Sequence, residues 1–429
     1  MGGLKRRKYA RMLIYLFGFT CFFQAQILKV QIGGIEVAFN RILILLLLGD
    51  FLLSVLKSKK ISVTRGYYYK FVLVWIAWQG VNFFQGSTRN FSGWIKLTWL
   101  ILIYLTCAFS FKKYLDDKEK FIKLLVCFQL GILIQLIIGF FEHMTGIYYW
   151  TGYKETFTTV AYYINKKFPC AMQNNPNDFA VLMFIGVFLS TALIKIYKNK
   201  FMKLLSAFII IGGVYLILIS DSRSTLLGLV FGCVYIVYFL LKSLKSLSKS
   251  MTVLIILILI TGIGFVYLRG DIFIELFKGR LQFNFSSGGS EKTRILLLID
   301  SFKAFLESCG IGIGWHGTAW HNYVAEILAE SGIVIFVCYI GYWVSLFKGM
   351  NITRKYGCDR EERIISLVFS GMMGGMLFAF IGPASILNIE WVGVIFGAIM
   401  LFISITNSRI KCNGKIYVQN EYKFAAKYN

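Results

Sequence analysis

Residues 121–141 read FIKLLVCFQLGILIQLIIGFF, and Lys123 is the one charge in the run. A helix of that length rises about 30 Å, the thickness of a bilayer's hydrocarbon core, and it lacks the polar face that a soluble surface helix needs. Similar runs recur on either side. The pattern predicts helices over 9–28, 35–56, 68–84, 91–111, 121–141, 179–197, 201–219, 225–241, 251–268, 323–347, 364–381 and 388–405. The intervals leave no room for a sizeable water-soluble domain, so residues 1–429 read as a single membrane domain. The fold class is all-α: a polytopic integral membrane protein with about 12 transmembrane helices. Composition agrees, with 57% hydrophobic and 16% charged residues, against about 25% charged in an ordinary soluble domain. The first run follows Lys5-Arg6-Arg7-Lys8 as in a signal peptide. However, Gln24-Ala25-Gln26-Ile27-Leu28 continues it with no small-residue cleavage site, so it reads as a retained helix.

A net charge of +25 would suit a nucleic-acid binder if it were gathered in one stripe, but it alternates with the apolar runs. With a cytoplasmic amino terminus, the inner segments carry 31 of the 46 basic residues and the outer segments twelve; Arg11, Arg41 and Lys96 lie within helices. This is the positive-inside pattern, which predicts both termini in the cytoplasm and explains the basicity as topology and attraction to anionic lipid. No basic stripe is interleaved with aromatic residues, so nucleic acid is not an expected partner.

Cysteine and histidine usage points away from a metal site. Cys21, Cys107, Cys127, Cys233 and Cys338 lie in apolar helices, no C-x-x-C occurs, and His316 with His321 lack a third ligand at suitable spacing. Cys170 and Cys309 fall in outer segments, where oxidising conditions allow a bridge.

Two outer segments are long. Residues 142–178 contain Tyr148, Tyr149, Trp150, Tyr153, Tyr162 and Tyr163, which suit either an interfacial aromatic belt or a surface on which sugar rings stack. Residues 269–321 hold two amphipathic stretches, one with Ile272, Phe273, Leu276 and Phe277. The other carries Ile295, Leu298, Ile299, Phe302, Phe305 and Leu306, and Ser286-Ser287-Gly288-Gly289-Ser290 separates the two. They read as interfacial helices within a large outer loop, the expected active-site loop.

Three short outward motifs carry chemistry. In Asn174-Asn175-Pro176-Asn177-Asp178-Phe179-Ala180, Asn175 suits a helix cap, Pro176 the first helical position, and Asp178 the positive end of the helix dipole. Ser220-Asp221-Ser222-Arg223-Ser224 is a tight hairpin that holds an arginine at the membrane surface, either paired with Asp221 or presented to a ligand. Gly310-Ile311-Gly312-Ile313-Gly314 precedes His321-Asn322-Tyr323 and then Glu330-Ser331-Gly332-Ile333. Arg41 and Lys96 are placed within helices in the outer half of the bilayer, where charge costs about 3 kcal/mol on insertion scales. Both suit either substrate binding or snorkelling to the outer headgroups.

In order and spacing these motifs resemble the O-antigen ligase and polymerase superfamily, integral-membrane glycosyltransferases that include Wzy-type polysaccharide polymerases. The resemblance is strongest from Asn174 to Ile333, with Arg294 ahead of Ile295–Leu306 as the loop arginine and Arg280 as its rival. It implies a GT-C-like helical architecture in a bacterial plasma membrane, with the active site facing outward and no metal or soluble cofactor. It also implies a polyprenyl-pyrophosphate-linked oligosaccharide as donor and acceptor, with flippase and chain-length regulator proteins as partners alongside membrane lipid. Arg223 and Arg294 would hold the pyrophosphate, His321 would activate the acceptor, and Arg41, Lys96, Asn175, Asn177, Asp178, Arg280 and Asn322 would line the substrate site. The expected activity is repeat-unit polymerisation; ligase-like transfer to another acceptor and lipid-linked oligosaccharide transport are the alternatives.

Chemistry points the same way. An enzyme on the outer face has no nucleotide sugars or ATP, so an activated donor arrives bonded to lipid. When its sugar to pyrophosphate bond breaks, the leaving group gains negative charge that a bidentate arginine can grip. The acceptor hydroxyl needs a base with a pKa near neutral, which fits His321. A cap at the helix start or a hydrogen bond to Glu326 is the structural alternative for that histidine.

Overall fold

The computed structural model describes residues 2–23, 30–32, 35–58, 67–85, 91–149, 164–173, 175–220, 222–243, 290–314, 320, 322–383 and 389–412. Eleven of the expected membrane segments are helical; the one expected at 251–268 lies outside the described residues, as does the amphipathic stretch at 272–277. The helices are α1 (Gly2–Thr20), α2 (Phe39–Ser58), α3 (Tyr67–Gln85), α4 (Phe91–Tyr114), α5 (Lys118–Thr145), α6 (Pro176–Ile194), α7 (Lys200–Ile219), α8 (Arg223–Ser243), α9 (Ser290–Glu307), α10 (Tyr323–Tyr356), α11 (Arg360–Ala379) and α12 (Glu390–Cys412). Among the described residues eight of them, α2, α5, α6, α7, α8, α10, α11 and α12, are long and apolar enough to cross a membrane. The protein is a polytopic helical membrane protein.

Two boundaries differ instructively from the hydropathy reading. Helix α2 begins at Phe39 rather than 35, because Ile35–Val37 pairs antiparallel with Val30–Ile32 in a short hairpin, Val30 opposite Val37 and Ile32 opposite Ile35. Both strands are rich in β-branched residues, and Gly33-Gly34 separates them in sequence. Helix α5 starts three residues early because Asp117 caps it, accepting from the Lys120 N–H at 2.8 Å.

The exposed faces are apolar where lipid would lie. Leu45, Leu46, Leu52, Leu53 and Leu56 of α2, and Phe201, Leu204, Phe208 and Ile211 of α7, all point outward. In water such faces would be an aggregation liability; in lipid they are the expected surface. Helices α6 and α12 are the most enclosed, with 83% of their apolar stretches buried, and so form the centre. Helices α8 and α11 also approach closely. A side-chain carbon on Gly228 would stand 2.5 Å from the Gly375 carbonyl oxygen, and one on Gly232 would stand 2.8 Å from that of Gly371. Two small-xxx-small stripes thus bring the backbones together, as suits helices that have no hydrophobic drive to associate within lipid.

The bundle has two chemically different ends. At one, Arg6 donates to Asp50 at 2.7 Å, Lys118 pairs with Asp359 at 2.8 Å and Glu361 at 2.6 Å, and Arg409 meets Asp359 and the buried Glu362. The other end gathers the sequence motifs.

Candidate functional site

The glycine motif and the Glu-Ser-Gly motif prove to be two halves of one structure. Helix α10 is broken at Gly332 (φ 76°, ψ −178°), a conformation that L side chains avoid. A helix break strands carbonyls and amides, which within a membrane must be satisfied by protein. The strap 310–314 does this. Ile313 N–H donates to the Ala329 carbonyl at 2.9 Å, Gly314 N–H to that of Glu330 at 3.1 Å, and the Gly310 carbonyl accepts from Ile333 N–H at 2.9 Å. Contact is so close that a Cβ on Gly312 would stand 2.6 Å from the Glu330 oxygen. Helix α3 braces the junction: Asn82 Nδ2 donates to the Glu330 carbonyl at 2.7 Å, Trp78 Nε1 to that of Ile311 at 3.3 Å, and Trp75 Nε1 to Ser331 Oγ at 3.4 Å. The buried Glu330 carboxylate accepts the Trp320 indole N–H at 3.1 Å.

At the start of the same helix, Asn322 caps α10, its Oδ1 accepting from Val324 N–H at 3.0 Å and Ala325 N–H at 3.3 Å. The adjoining Tyr323 packs edge-on against Phe380 at the end of α11, with ring centroids 5.9 Å apart. The same end of α11 meets the Ser-Arg-Ser turn: Gly382 lies against Ser222 and Ser224. Ser222 holds the first turn of α8 through its carbonyl to Leu226 N–H at 3.0 Å and its hydroxyl to Thr225 at 2.9 Å, so that half-buried Arg223 opens the helix. The glycine contacts of α8 with α11 and the aromatic contacts of α10 with α11 therefore bring Arg223 and the start of α10 to one place.

A second group lies at the same end. The Asn175 Oδ1 accepts from Asp178 N–H at 3.0 Å, with Pro176 in the first turn, as the sequence led one to expect of a cap; Asn177 is half-buried and Asp178 buried. Just before it, Gln173 donates to the Phe22 carbonyl at 2.7 Å and accepts from the Trp391 indole at 3.1 Å, tying α6 to the start of α12. There Glu390 collects three donors: Asn40 Nδ2 at 2.8 Å, Arg41 Nε at 3.0 Å and Trp99 Nε1 at 3.3 Å. Glu142, at the end of α5, accepts the backbone N–H groups of Cys170 at 2.8 Å and Ala171 at 2.6 Å, fixing the approach to the Asn-Pro-Asn turn.

Residues 207–340 match the family described as O-antigen ligase, an interval that runs from α7 through the Ser-Arg-Ser turn, α9 and the glycine strap into broken α10. The chain is also 24% identical over 329 residues to the teichuronic acid biosynthesis protein TuaE of Bacillus subtilis (strain 168), covering 70% of this chain and 64% of that protein's length. The family match covers less than a third of the chain, and the family and the Bacillus subtilis protein are both what the chain is similar to.

The structure brings Arg223, Asn322, Arg41, Asn175, Asn177 and Asp178 to one end of the bundle. Arg294 lies in α9, which packs on α10. Lys96 lies in α4 one turn ahead of Trp99. The side chains of Arg294 and Lys96, and the whole of His321 and Arg280, lie outside the described residues. On α9 the expected lipid face is outward, with Ile295, Leu298, Ile299, Phe302 and Leu306 exposed. Cys170 and Cys309 are both free thiols, the first buried and the second exposed. Among the described residues no cluster of three or more His, Cys, Asp or Glu side chains is set to hold a metal.

Sequence reasoning missed Glu390, Glu142 and Asn82. Glu390 had a signal: an intramembrane arginine calls for a partner of opposite charge, and Glu390 opens a helix on the same side. Asn82 had none, since its partner is a main-chain carbonyl 248 residues away.

Proposed function

We propose that this protein is a membrane glycosyltransferase that polymerises polyprenyl-pyrophosphate-linked oligosaccharide repeat units on the outer face of the bacterial plasma membrane. The observation that carries this reading is the approach of the Arg223 turn and the start of α10, through the end of α11, at the end opposite the basic cross-links. By the positive-inside rule the basic end is cytoplasmic, so the motif end faces outward. The product would be a cell-envelope polysaccharide, and the similarity to the Bacillus subtilis teichuronic acid biosynthesis protein supports that class.

In the proposed reaction an acceptor hydroxyl oxygen attacks the anomeric carbon of the donor. The bond from that carbon to the pyrophosphate oxygen breaks, the hydroxyl proton passes to His321, and polyprenyl pyrophosphate departs with the bonding electrons. Arg223 and Arg294 stabilise the leaving charge, Arg41 and Lys96 extend the cationic surface, and half-buried Asn177 lies on the sugar side with buried Asp178 behind it. No metal or soluble cofactor takes part; flippase and chain-length regulator proteins are the proposed partners.

Matching to a family described as O-antigen ligase keeps a second reading in play, transfer of a finished chain to another acceptor. Deleting the gene separates the two. Loss of the polymerase leaves single repeat units on the lipid carrier, whereas loss of a ligase leaves long chains there. Accumulated single units that cannot be labelled from outside the cell would instead indicate a flippase and overturn both.

A further inference from the structure

We infer that Glu142 is a positioning residue for Asn177 at the start of α6, an inference that rests on the sugar-side reading of Asn177 given above. The Asn177 side chain is half-buried and takes part in no hydrogen bond among the described residues. Its amide therefore offers a donor and an acceptor in one plane, as a sugar hydroxyl requires. The chain just before it sets its place. Residues 170–173 form a turn closed by Gln173 N–H to the Cys170 carbonyl at 2.9 Å, in which Ala171 holds a φ of 49°. That left-handed conformation suits glycine and strains a residue that carries a Cβ. Glu142 holds the turn there: one carboxylate oxygen accepts both Cys170 N–H at 2.8 Å and Ala171 N–H at 2.6 Å. Gln135, seven residues earlier in α5, accepts Met172 N–H at 3.1 Å. The turn leads into Asn175, whose cap on Asp178 N–H fixes the first turn of α6 and Asn177 with it.

A turn seated by packing alone would have no use for this carboxylate. Glu142 is fully buried and its second oxygen has no hydrogen-bond partner, so it carries a desolvation cost that an apolar side chain would avoid. What it adds is a directional hold on two successive amides at the one position of the turn whose backbone is strained. Strain of this kind persists only where the surroundings over-determine it. With the carboxylate removed, Ala171 relaxes out of the left-handed region, and the shift passes along the chain to the first turn of α6. Glu142 touches no substrate in this scheme; it acts through Asn177.

The test uses full-length protein in lipid vesicles, with the lipid-linked oligosaccharide extracted from cells lacking the gene as donor and acceptor. Asn177→Ala is expected to raise KM about 3- to 10-fold with kcat within about twofold, the loss of one hydrogen bond used in binding. Glu142→Leu should raise KM by a similar factor, and the double variant E142L/N177A should be no worse than either single one. Glu142→Gln should stay within about twofold of the parent, because its amide oxygen still accepts both N–H groups. Glycine adopts the left-handed conformation unaided, so E142L/A171G should return to within about twofold of A171G alone. Parental KM in E142L, E142Q as impaired as E142L, no recovery in E142L/A171G, or additive losses in E142L/N177A would each overturn the inference. Should E142L fail to accumulate in the membrane, recovery of protein and KM together in E142L/A171G supports the inference and failure to recover overturns it. Asn177→Ala alone separates the two levels. If it raises KM while E142L does not, the positioning role is wrong and the sugar-side reading stands; if it leaves KM at the parental value, that reading fails and the inference with it.

Discussion

At the basic end of the bundle, charge meets charge near the surface: Lys118 bridges Asp359 and Glu361, and Arg409 reaches Asp359. At the motif end, buried carboxylates accept neutral donors: Glu330 a tryptophan, Glu142 two backbone amides, and Glu390 an asparagine and a tryptophan beside its arginine. The difference reflects environment. Half-exposed ion pairs are worth about 0.2–1 kcal/mol and tolerate loss of a partner, whereas removing the donor of a buried acceptor costs about 1–3 kcal/mol. The basic end is thus built for topology and the motif end for geometry.

Orientation is the assumption whose failure would undo the comparison. Cysteine reporters at Tyr153 and Ser287 should label from outside intact cells, and those at Lys59, Lys118 and Ser246 only after permeabilisation. External labelling near Lys118 would invert the protein and put the proposed site in the cytoplasm.

Among substitutions, the largest effect is expected from Arg223→Ala and Arg294→Ala, each abolishing polymer while the protein remains inserted and abundant. Lysine at either position should restore little if bidentate contact to pyrophosphate matters. Arg280→Ala should be mild, and Lys118→Met, at the other end, should leave polymer length and amount unchanged. Near-normal polymer from both alanine variants would remove the pyrophosphate assignment. His321→Ala should cost about 10² to 10⁴ in turnover, the usual contribution of a general base, while binding of the lipid pyrophosphate donor survives. Loss of donor binding in step with turnover would move His321 to the pyrophosphate.

Gly332→Ala addresses the motif end as structure. The positive φ and the Ile311 carbonyl pressed against this position leave no room for a methyl group, and backbone on both sides of the contact prevents an easy shift. A destabilisation of roughly 1–3 kcal/mol is expected, seen as a lower aggregation temperature in detergent. Unchanged stability would mean that the strap and the break are not tightly joined.

Much of this was legible in sequence because lipid imposes simple rules. Apolar length gave the helices, and basic-residue alternation gave the two ends. Asn175 and Asn322 are legible as caps because each stands directly before an apolar run. The break at Gly332 was not legible, since residues 323–347 read as one apolar run. A glycine in such a run is ordinary until the partner strap is known, and that partner is fixed by main-chain bonds that carry no side-chain signature. The Arg41–Glu390 pair was half legible, as a charge that wanted a partner, but a separation of 349 residues hid which one. The hairpin at Val30–Val37 was hidden by its own hydrophobicity, which reads equally as the edge of a helix.

The smallest effect concerns pH and salt, and it sets the two ends apart without mutation. Burial pushes the Asp359 carboxyl up, but the Lys118 ammonium, the Glu362 N–H and Arg409 outweigh it, so its pKa lies below the ordinary value. The Asp116 pKa is lowered chiefly by its bond to Lys120, and that of Asp117 is lowered by Lys120 against the opposing effect of burial. A carboxylate whose folded pKa is depressed contributes stability that is fully present above its unfolded value, about 3.9, and is lost as pH falls through the folded one. Between pH 7 and 5 the basic end should therefore be unaffected, and below about pH 4 it should lose roughly 1 kcal/mol or less for each exposed pair. Salt at about 1 M, where the screening length shrinks to about 3 Å, should weaken the same pairs at neutral pH. The strap is held by main-chain bonds, which are not pairs of this kind, so salt should leave hydrogen exchange at Ile313 and Gly314 unchanged while exchange near Lys118 and Asp359 rises. Equal loss of protection at both ends would show that the bundle responds as one unit and that the contrast between its ends has no energetic consequence.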